Sequence, residues 1–209
     1  MSIKVLKPFG PSVVKARLPD EIISEMNNYI DQVVKNTQKS KELDYGDQLA
    51  GNVKQEIVLE KDFMQKIKWI EYLASITQKW INFETKKNIS EFKLLSSWVV
   101  RQFRNEYNPT HFHDGHISGV GYLKVPTDFG KYSQSKKTHN RNGRLELIHG
   151  SRMFLCNANH IIKPEVGDIY LFPNYLLHSV WPFTDSDEER RSVSFNAVIN
   201  KEVANVYGS

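Results

Sequence analysis

Apolar side chains repeat along this chain with two periods, and the change comes near residue 87. Leu18, Ile22, Ile23, Met26, Ile30, Val33 and Val34 recur at three- and four-residue steps, which draws one face of an amphipathic helix. Pro19 and Asp20 suit its opening turn. A second helical stripe runs over residues 60–85 through Phe63, Ile67, Ile70, Leu73, Ile76, Trp80 and Ile81. Between the two, Asp44-Tyr45-Gly46-Asp47 reads as a turn-rich linker. Beyond Lys87 the runs become short, β-branched and aromatic, at 96–103, 117–125, 144–148, 168–172 and 192–199, each bounded by Gly, Pro, Asn or Asp. The pattern predicts one domain over 1–209, α+β in class: mainly helical support over 1–90 and a β-barrel or sandwich core over 91–209.

Composition narrows the class. At 209 residues, 40% hydrophobic and 25% charged, the chain can bury a core and is not a disordered segment. No apolar run reaches the roughly 18–20 residues of a membrane helix and no signal peptide opens it, so a cytoplasmic protein without a membrane partner is expected. A single cysteine, Cys156, excludes an internal disulfide and a multi-cysteine zinc site. The net charge of +4 is concentrated: Lys131, Lys136, Lys137, Arg141, Arg144 and Arg152 stand against one acid, Glu146. That segment is either a solvated loop or one that steers an anionic ligand. Residues 128–142, long and polar, are expected to form a mobile lid hinged at Gly130 and Gly143.

The candidate chemistry lies in three places. His111-Phe112-His113-Asp114-Gly115-His116 packs three of the seven histidines into six residues. Residues two apart on a strand share a face, so His111 and His113 can reach one metal ion while Asp114 points away. Imidazole suits iron, zinc, copper and nickel alike. Downstream, a Gly167-Asp168 turn leads into a strand that stops at Pro173, and a short loop delivers His178. Arg191 then opens an alternating strand on which it shares a face with Val193 and Phe195, opposite Ser192, Ser194 and Asn196. That places it inward, where it needs an anionic partner, either a ligand carboxylate or a protein one.

These residues resemble the iron(II)- and 2-oxoglutarate-dependent oxygenases, and most closely a small phage and marine-bacterial branch related to the prolyl 4-hydroxylases. The matching features are His-x-His followed by Ser118-Gly119-Val120-Gly121-Tyr122-Leu123, then Gly167-Asp168 to Phe172-Pro173 with His178, and Arg191 with Ser-Val-Ser-Phe-Asn. Residues 44–56, with Leu49-Ala50-Gly51-Asn52, are similar to the amino-terminal segment of that branch. The resemblance implies a double-stranded β-helix, a jelly-roll or cupin-like barrel, holding iron(II) near its mouth. It implies catalytic roles for His113, His178 and Arg191. It also implies 2-oxoglutarate as co-substrate, bound by Arg191 with Tyr122, Ser194 and Asn196, and ascorbate as a supporting reductant. The expected reaction is hydroxylation of a substrate C–H bond, with succinate and carbon dioxide as co-products. A prolyl residue in a peptide or protein is the first choice of substrate, and a small molecule the second.

The family's usual ligand set is His-x-Asp/Glu with a distal His, and here the sequence departs from it. Two residues after His111 stands His113, and two after His113 stands Gly115. Three ligand sets therefore remain open: His111, His113 and His178; Asp114 turned inward by a bulge in place of His111; or His113 and His178 with a water. Two other functions compete. A cupin-type three-histidine metal dioxygenase would work without 2-oxoglutarate and would not need Arg191. A binding module would use the basic segment on nucleic acid or another acidic partner, with strongly salt-dependent affinity, and would leave the histidines unexplained.

Overall fold

Among the described residues, eleven strands in two facing antiparallel sheets carry the architecture. In chain order they are β1 (Lys4–Leu6), β2 (Val13–Arg17), β3 (Gln55–Val58), β4 (Phe92–Gln102), β5 (Asn108–His111), β6 (Ile117–Lys124), β7 (Leu145–Ile148), β8 (Asn159–Ile162), β9 (Asp168–Pro173), β10 (Leu177–Val180) and β11 (Arg190–Ile199). The helices are α1 (Asp20–Lys35), α2 (Thr37–Glu42), α3 (Lys61–Lys66), α4 (Trp69–Thr85) and α5 (Lys201–Ala204). The computed structural model describes residues 3–6, 10–131 and 140–205. Most of the basic lid expected over 128–142 lies outside the described residues.

The larger sheet runs β1-β2-β9-β6-β11-β4-β3 and the smaller β5-β10-β7-β8. From β4 onward the chain passes back and forth between the sheets, sending β4, β6, β9 and β11 to one and β5, β7, β8 and β10 to the other. This is the double-stranded β-helix expected above. The amino-terminal part is not only helical, since β1, β2 and β3 extend both edges of the larger sheet. The second helical stripe is split at Lys68, whose φ of 55° interrupts the helix between α3 and α4.

Both faces of the larger sheet are buried, for different reasons. Its outer face packs on α1 and α4. Ile22, Met26, Ile30 and Val33 of α1, with Trp69, Leu73, Ile76 and Trp80 of α4, bury at helical spacing against Val99, Ile169, Leu171, Val193, Phe195 and Ala197. The two buried indoles keep partners: Trp69 Nε1 donates to Ser97 Oγ at 3.0 Å and Trp80 Nε1 to Ser12 Oγ at 2.8 Å. The inner face meets the smaller sheet through Val120, Tyr122, Tyr170 and Phe172 against Leu145 and Leu147. The inner face also carries polar side chains, and those define the site. Among the described residues, no helix is long and apolar enough to cross a membrane.

Candidate active site

Cross-strand register brings the histidines together. His111, the last residue of β5, pairs directly with His178 of β10, so their side chains stand side by side on one face. His113 follows in the turn, where its backbone N–H donates to the Asn174 carbonyl at 3.0 Å while Asn174 Nδ2 donates back to the His113 carbonyl at 3.0 Å. Gly115 completes that turn at a φ of 90°, and a Cβ there would lie 2.7 Å from the Ala197 carbonyl oxygen. The glycine two residues after His113 thus has a backbone reason to be there.

One ligand nitrogen from each of His111, His113 and His178 lies within 4.8 Å of the others. His113 Nε2 and His178 Nε2 are 3.1 Å apart. Two nitrogens each about 2.1 Å from one ion, at right angles, would be about 3.0 Å apart, so the trio fits a single metal. His178 Nδ1 sits 2.8 Å from the Leu176 carbonyl and His111 Nδ1 2.6 Å from the Pro109 carbonyl. A proton held on each Nδ1 leaves Nε2 bare for a metal. Burial pulls the His178 pKa down to about 3, with His111 and His113 adding to the shift. Burial likewise takes His113 to about 4, and lowers His111 against its hydrogen bond to Pro109. All three are neutral at pH 7, the state in which imidazole binds metal. The rings are braced by aromatics, Phe172 edge-on to His178 at 4.9 Å and Trp98 tilted to His113 at 5.7 Å.

Asp114 is exposed and stands outside the trio, so no bulge turns it inward as the third ligand. His111 occupies the position that Asp114 was considered for.

Beside the histidines, between the sheets, lies a narrow cavity of about 40 Å³. Its wall includes Val100, Val120, Phe172, Arg190, Ser192 and Ser194. The cation in it is Arg190 and not Arg191. Arg191 shares the outer face with Val193 and Phe195, as expected, but that face packs on α1 rather than into the barrel. There Arg191 donates to Asp31 at 2.6 Å, to Glu189 at 2.8 and 2.9 Å, and to Asn27 at 3.1 and 3.2 Å. Burial opposes the charge on Asp31, yet Arg191 and Lys124 hold its carboxyl below the ordinary value. The expectation that Arg191 faces a ligand in the barrel is therefore corrected: it lies outside the cavity. Its anionic partners belong to the protein.

Arg190 is the opposite case. It is 1% exposed, and although Nη1 reaches Gln102 Oε1 at 3.1 Å and Ser192 Oγ at 3.4 Å, Nε and Nη2 have no partner. Its guanidinium lies 5.1 Å from the centre of the Tyr122 ring, and the Tyr122 hydroxyl is buried without a partner too. Burial lowers the Arg190 pKa from its ordinary value and pushes Tyr122 up to about 12. The hydroxyl and the guanidinium attract one another, and a buried cation without a carboxylate partner can receive an anion. Ser194 lines the cavity, whereas Asn196 accepts from Ser118 Oγ at 2.8 Å outside it.

Sequence reasoning missed two residues here. The sequence points to Arg191 in place of Arg190 because the apolar face of a strand ordinarily turns to the barrel interior. Glu56, on the edge strand β3, also lines the cavity; the resemblance over residues 44–56 takes in its segment but gives the carboxyl no role.

Residues 96–196 match the family described as "putative 2OG-Fe(II) oxygenase". No curated protein sequence matches the chain. Among solved structures the fold is similar to a prolyl 4-hydroxylase of Pseudomonas putida, at 14% identity over 88% of this chain and 91% of that one, with a TM-score of 0.59. It is similar to the viral collagen prolyl hydroxylase of Paramecium bursaria Chlorella virus-1, at 17% identity, 88% and 94% coverage and a TM-score of 0.54. It is also similar to a non-haem α-ketoglutarate-dependent epimerase of nogalamycin biosynthesis, at 15% identity, 94% and 85% coverage and a TM-score of 0.59. At such identities the likeness is one of fold.

Proposed function

We propose, from the premise that this chain is a 2-oxoglutarate- and iron(II)-dependent oxygenase, that it hydroxylates a substrate C–H bond with metal held by His111, His113 and His178 and with 2-oxoglutarate anchored by Arg190. The observation that carries the assignment of Arg190 is its guanidinium, buried in the cavity beside the three histidines with no carboxylate partner and with Nε and Nη2 unbonded. Bound iron with 2-oxoglutarate and oxygen supplies the oxidising power, and the co-products are succinate and carbon dioxide.

The residues of the chain have distinct tasks in this scheme. The neutral histidines bind the metal through Nε2, and the Leu176 and Pro109 carbonyls fix the orientation of two of them. Arg190 receives the far carboxylate of the co-substrate through the planar fork of its guanidinium, which suits a two-pronged contact. The Tyr122 hydroxyl, buried beside Arg190, offers a further donor, and Ser192 and Ser194 line the cavity wall. Val100, Val120, Leu145, Phe172 and Val180 give the wall an apolar stretch, which keeps water from the reacting atoms. A prolyl residue in a peptide or protein is the proposed target, supported by the likeness to two prolyl hydroxylases.

A three-histidine dioxygenase working without 2-oxoglutarate would use the same metal trio, but it would have no reason to bury an unpaired cation in the same cavity. The deciding assay is turnover without substrate. Purified protein with iron(II), 2-oxoglutarate, oxygen and ascorbate as supporting reductant should form succinate at a low, steady rate. If 2-oxoglutarate is not consumed while metal is bound, the assignment to this chemistry fails.

A further inference from the structure

Glu56 has no task in the scheme above, and its surroundings ask for one. It is 1% exposed, lines the cavity, and its Oε2 has no hydrogen-bond partner. Among the described residues no cation forms an ion pair with it. Register fixes where it points. Glu56 pairs with Val100, Val100 with Ser192, and Ser192 with Tyr122, a row across β3, β4, β11 and β6 that faces the barrel interior. The strand of Arg190 is thus two strand spacings away, roughly 10 Å. The cavity has a cation on one side and a carboxyl on the other.

The backbone around Glu56 leaves room for this carboxyl. A Cβ on Gly51 would lie 3.0 Å from both Glu56 carboxyl oxygens and 3.0 Å from Asn108 Nδ2. Leu49 and Ala50, just before that glycine, also line the cavity, and Asn52 bridges to Tyr107 beside β5. Residues 49–56 therefore close the gap between the edge of the larger sheet and the edge of the smaller one, with Glu56 facing in. Asp44 adds negative potential from behind: its Oδ1 accepts from the Glu56 backbone N–H at 3.4 Å, and burial followed by the Asp44 charge pushes the Glu56 pKa up to about 7. An acceptor this deeply buried is costly until a donor arrives, and a cationic donor offsets most of the cost.

We propose that Glu56 is the docking group for a positively charged nitrogen of the substrate. The proposal rests on the oxygenase function above and narrows its substrate class. In a peptide the nitrogen belongs to a lysine side chain near the oxidised residue, and in a small molecule it is the compound's own amine. The shared chemistry is an alkylammonium ion reaching the cavity wall opposite Arg190.

Two pairs of probes separate these sources. One pair is acetyl-Lys-Pro-Gly-amide and its norleucine analogue, and the other is cyclohexylammonium and cyclohexanol. Each is titrated calorimetrically, without oxygen, into protein carrying iron(II) and 2-oxoglutarate. At least one cation should bind ten-fold or more tightly than its neutral partner, and the responding pair identifies the source. Glu56→Gln, nearly isosteric, should erase that preference, and Glu56→Asp, which keeps the charge, should restore part of it. Equal affinity within both pairs, or a preference that survives in Glu56→Gln, would overturn the proposal. A parallel titration of 2-oxoglutarate into the wild-type protein tests the oxygenase function separately. Absence of binding there defeats that function, whatever the probe pairs show.

Discussion

Arg190 and Arg191 are neighbours on one strand and should give opposite phenotypes when each is replaced by methionine. Arg190→Met removes a guanidinium whose Nε and Nη2 have no protein partner. The empty protein should therefore lose no stability, because an unpaired buried charge is replaced by an apolar chain of similar length. The bound co-substrate would lose its charge partner, which costs about 3–5 kcal/mol in a buried pair. At about 1.4 kcal/mol per factor of ten, 2-oxoglutarate affinity should fall by two to three orders of magnitude. Arg191→Met instead takes the shorter-bonded cation from Asp31, which keeps Lys124, and one of two cations from Glu189, which keeps Arg101; both are bonded to Arg191 at 2.6–2.9 Å. Asp31 is partly open to water, so the loss there is discounted for solvent screening, and a total of about 2–3 kcal/mol of folding stability is expected. Its 2-oxoglutarate affinity should stay within two-fold of wild type. Anaerobic calorimetry for affinity and urea unfolding for stability read both arms. The reasoning is refuted if Arg190→Met binds 2-oxoglutarate normally, or if Arg191→Met folds but no longer binds it.

Other residues make equally direct tests. His111→Ala should lower metal affinity by at least ten-fold, whereas Asp114→Ala should leave metal stoichiometry at one per chain; the reverse would restore Asp114 as the ligand. Glu56 is a carboxyl whose folded pKa, about 7, lies above its ordinary 4.5. Both states hold the proton below pH 4.5, and the folded state is progressively penalised as pH rises from there to about 7. Glu56→Gln should therefore match wild type in urea unfolding near pH 4.5 and exceed its stability by about 2–3 kcal/mol at pH 8; equal stability at pH 8 would show that the carboxyl has a partner. Phe195, fully buried and edge-on to Trp69 at 6.3 Å, should cost about 3–5 kcal/mol when changed to Ala, read as a lower urea midpoint with an unchanged slope.

How much of this was legible in the sequence depended on the length and alternation of each element. The long strands β4, β6 and β11, and the helices α1 and α4, repeat their apolar positions often enough to show their period. The strands β5, β8 and β10 have four residues each, too few to establish alternation, and β5 contains Pro109. The trio was visible because two of its members crowd one stretch with His116, but its third member was decided by register: His111 faces His178 across β5 and β10, while Asp114 falls in an exposed turn. Arg191 was misplaced because apolar neighbours usually mark the interior. Here both faces of the sheet are buried, and the apolar one belongs to the helices. Val193 and Phe195 point at α1 and α4, which leaves the polar phase of Arg190, Ser192 and Ser194 for the cavity. Glu56 could not be found from sequence, since only the fold closes residues 49–56 over the barrel mouth.

Diffraction at the iron absorption edge, from crystals grown without oxygen in iron(II) and 2-oxoglutarate, tests the central claim most directly. It should show one anomalous peak at bonding distance from the Nε2 atoms of His111, His113 and His178, with the far carboxylate of 2-oxoglutarate paired to Arg190. Iron bound away from this trio, or 2-oxoglutarate bound without Arg190, would contradict the account.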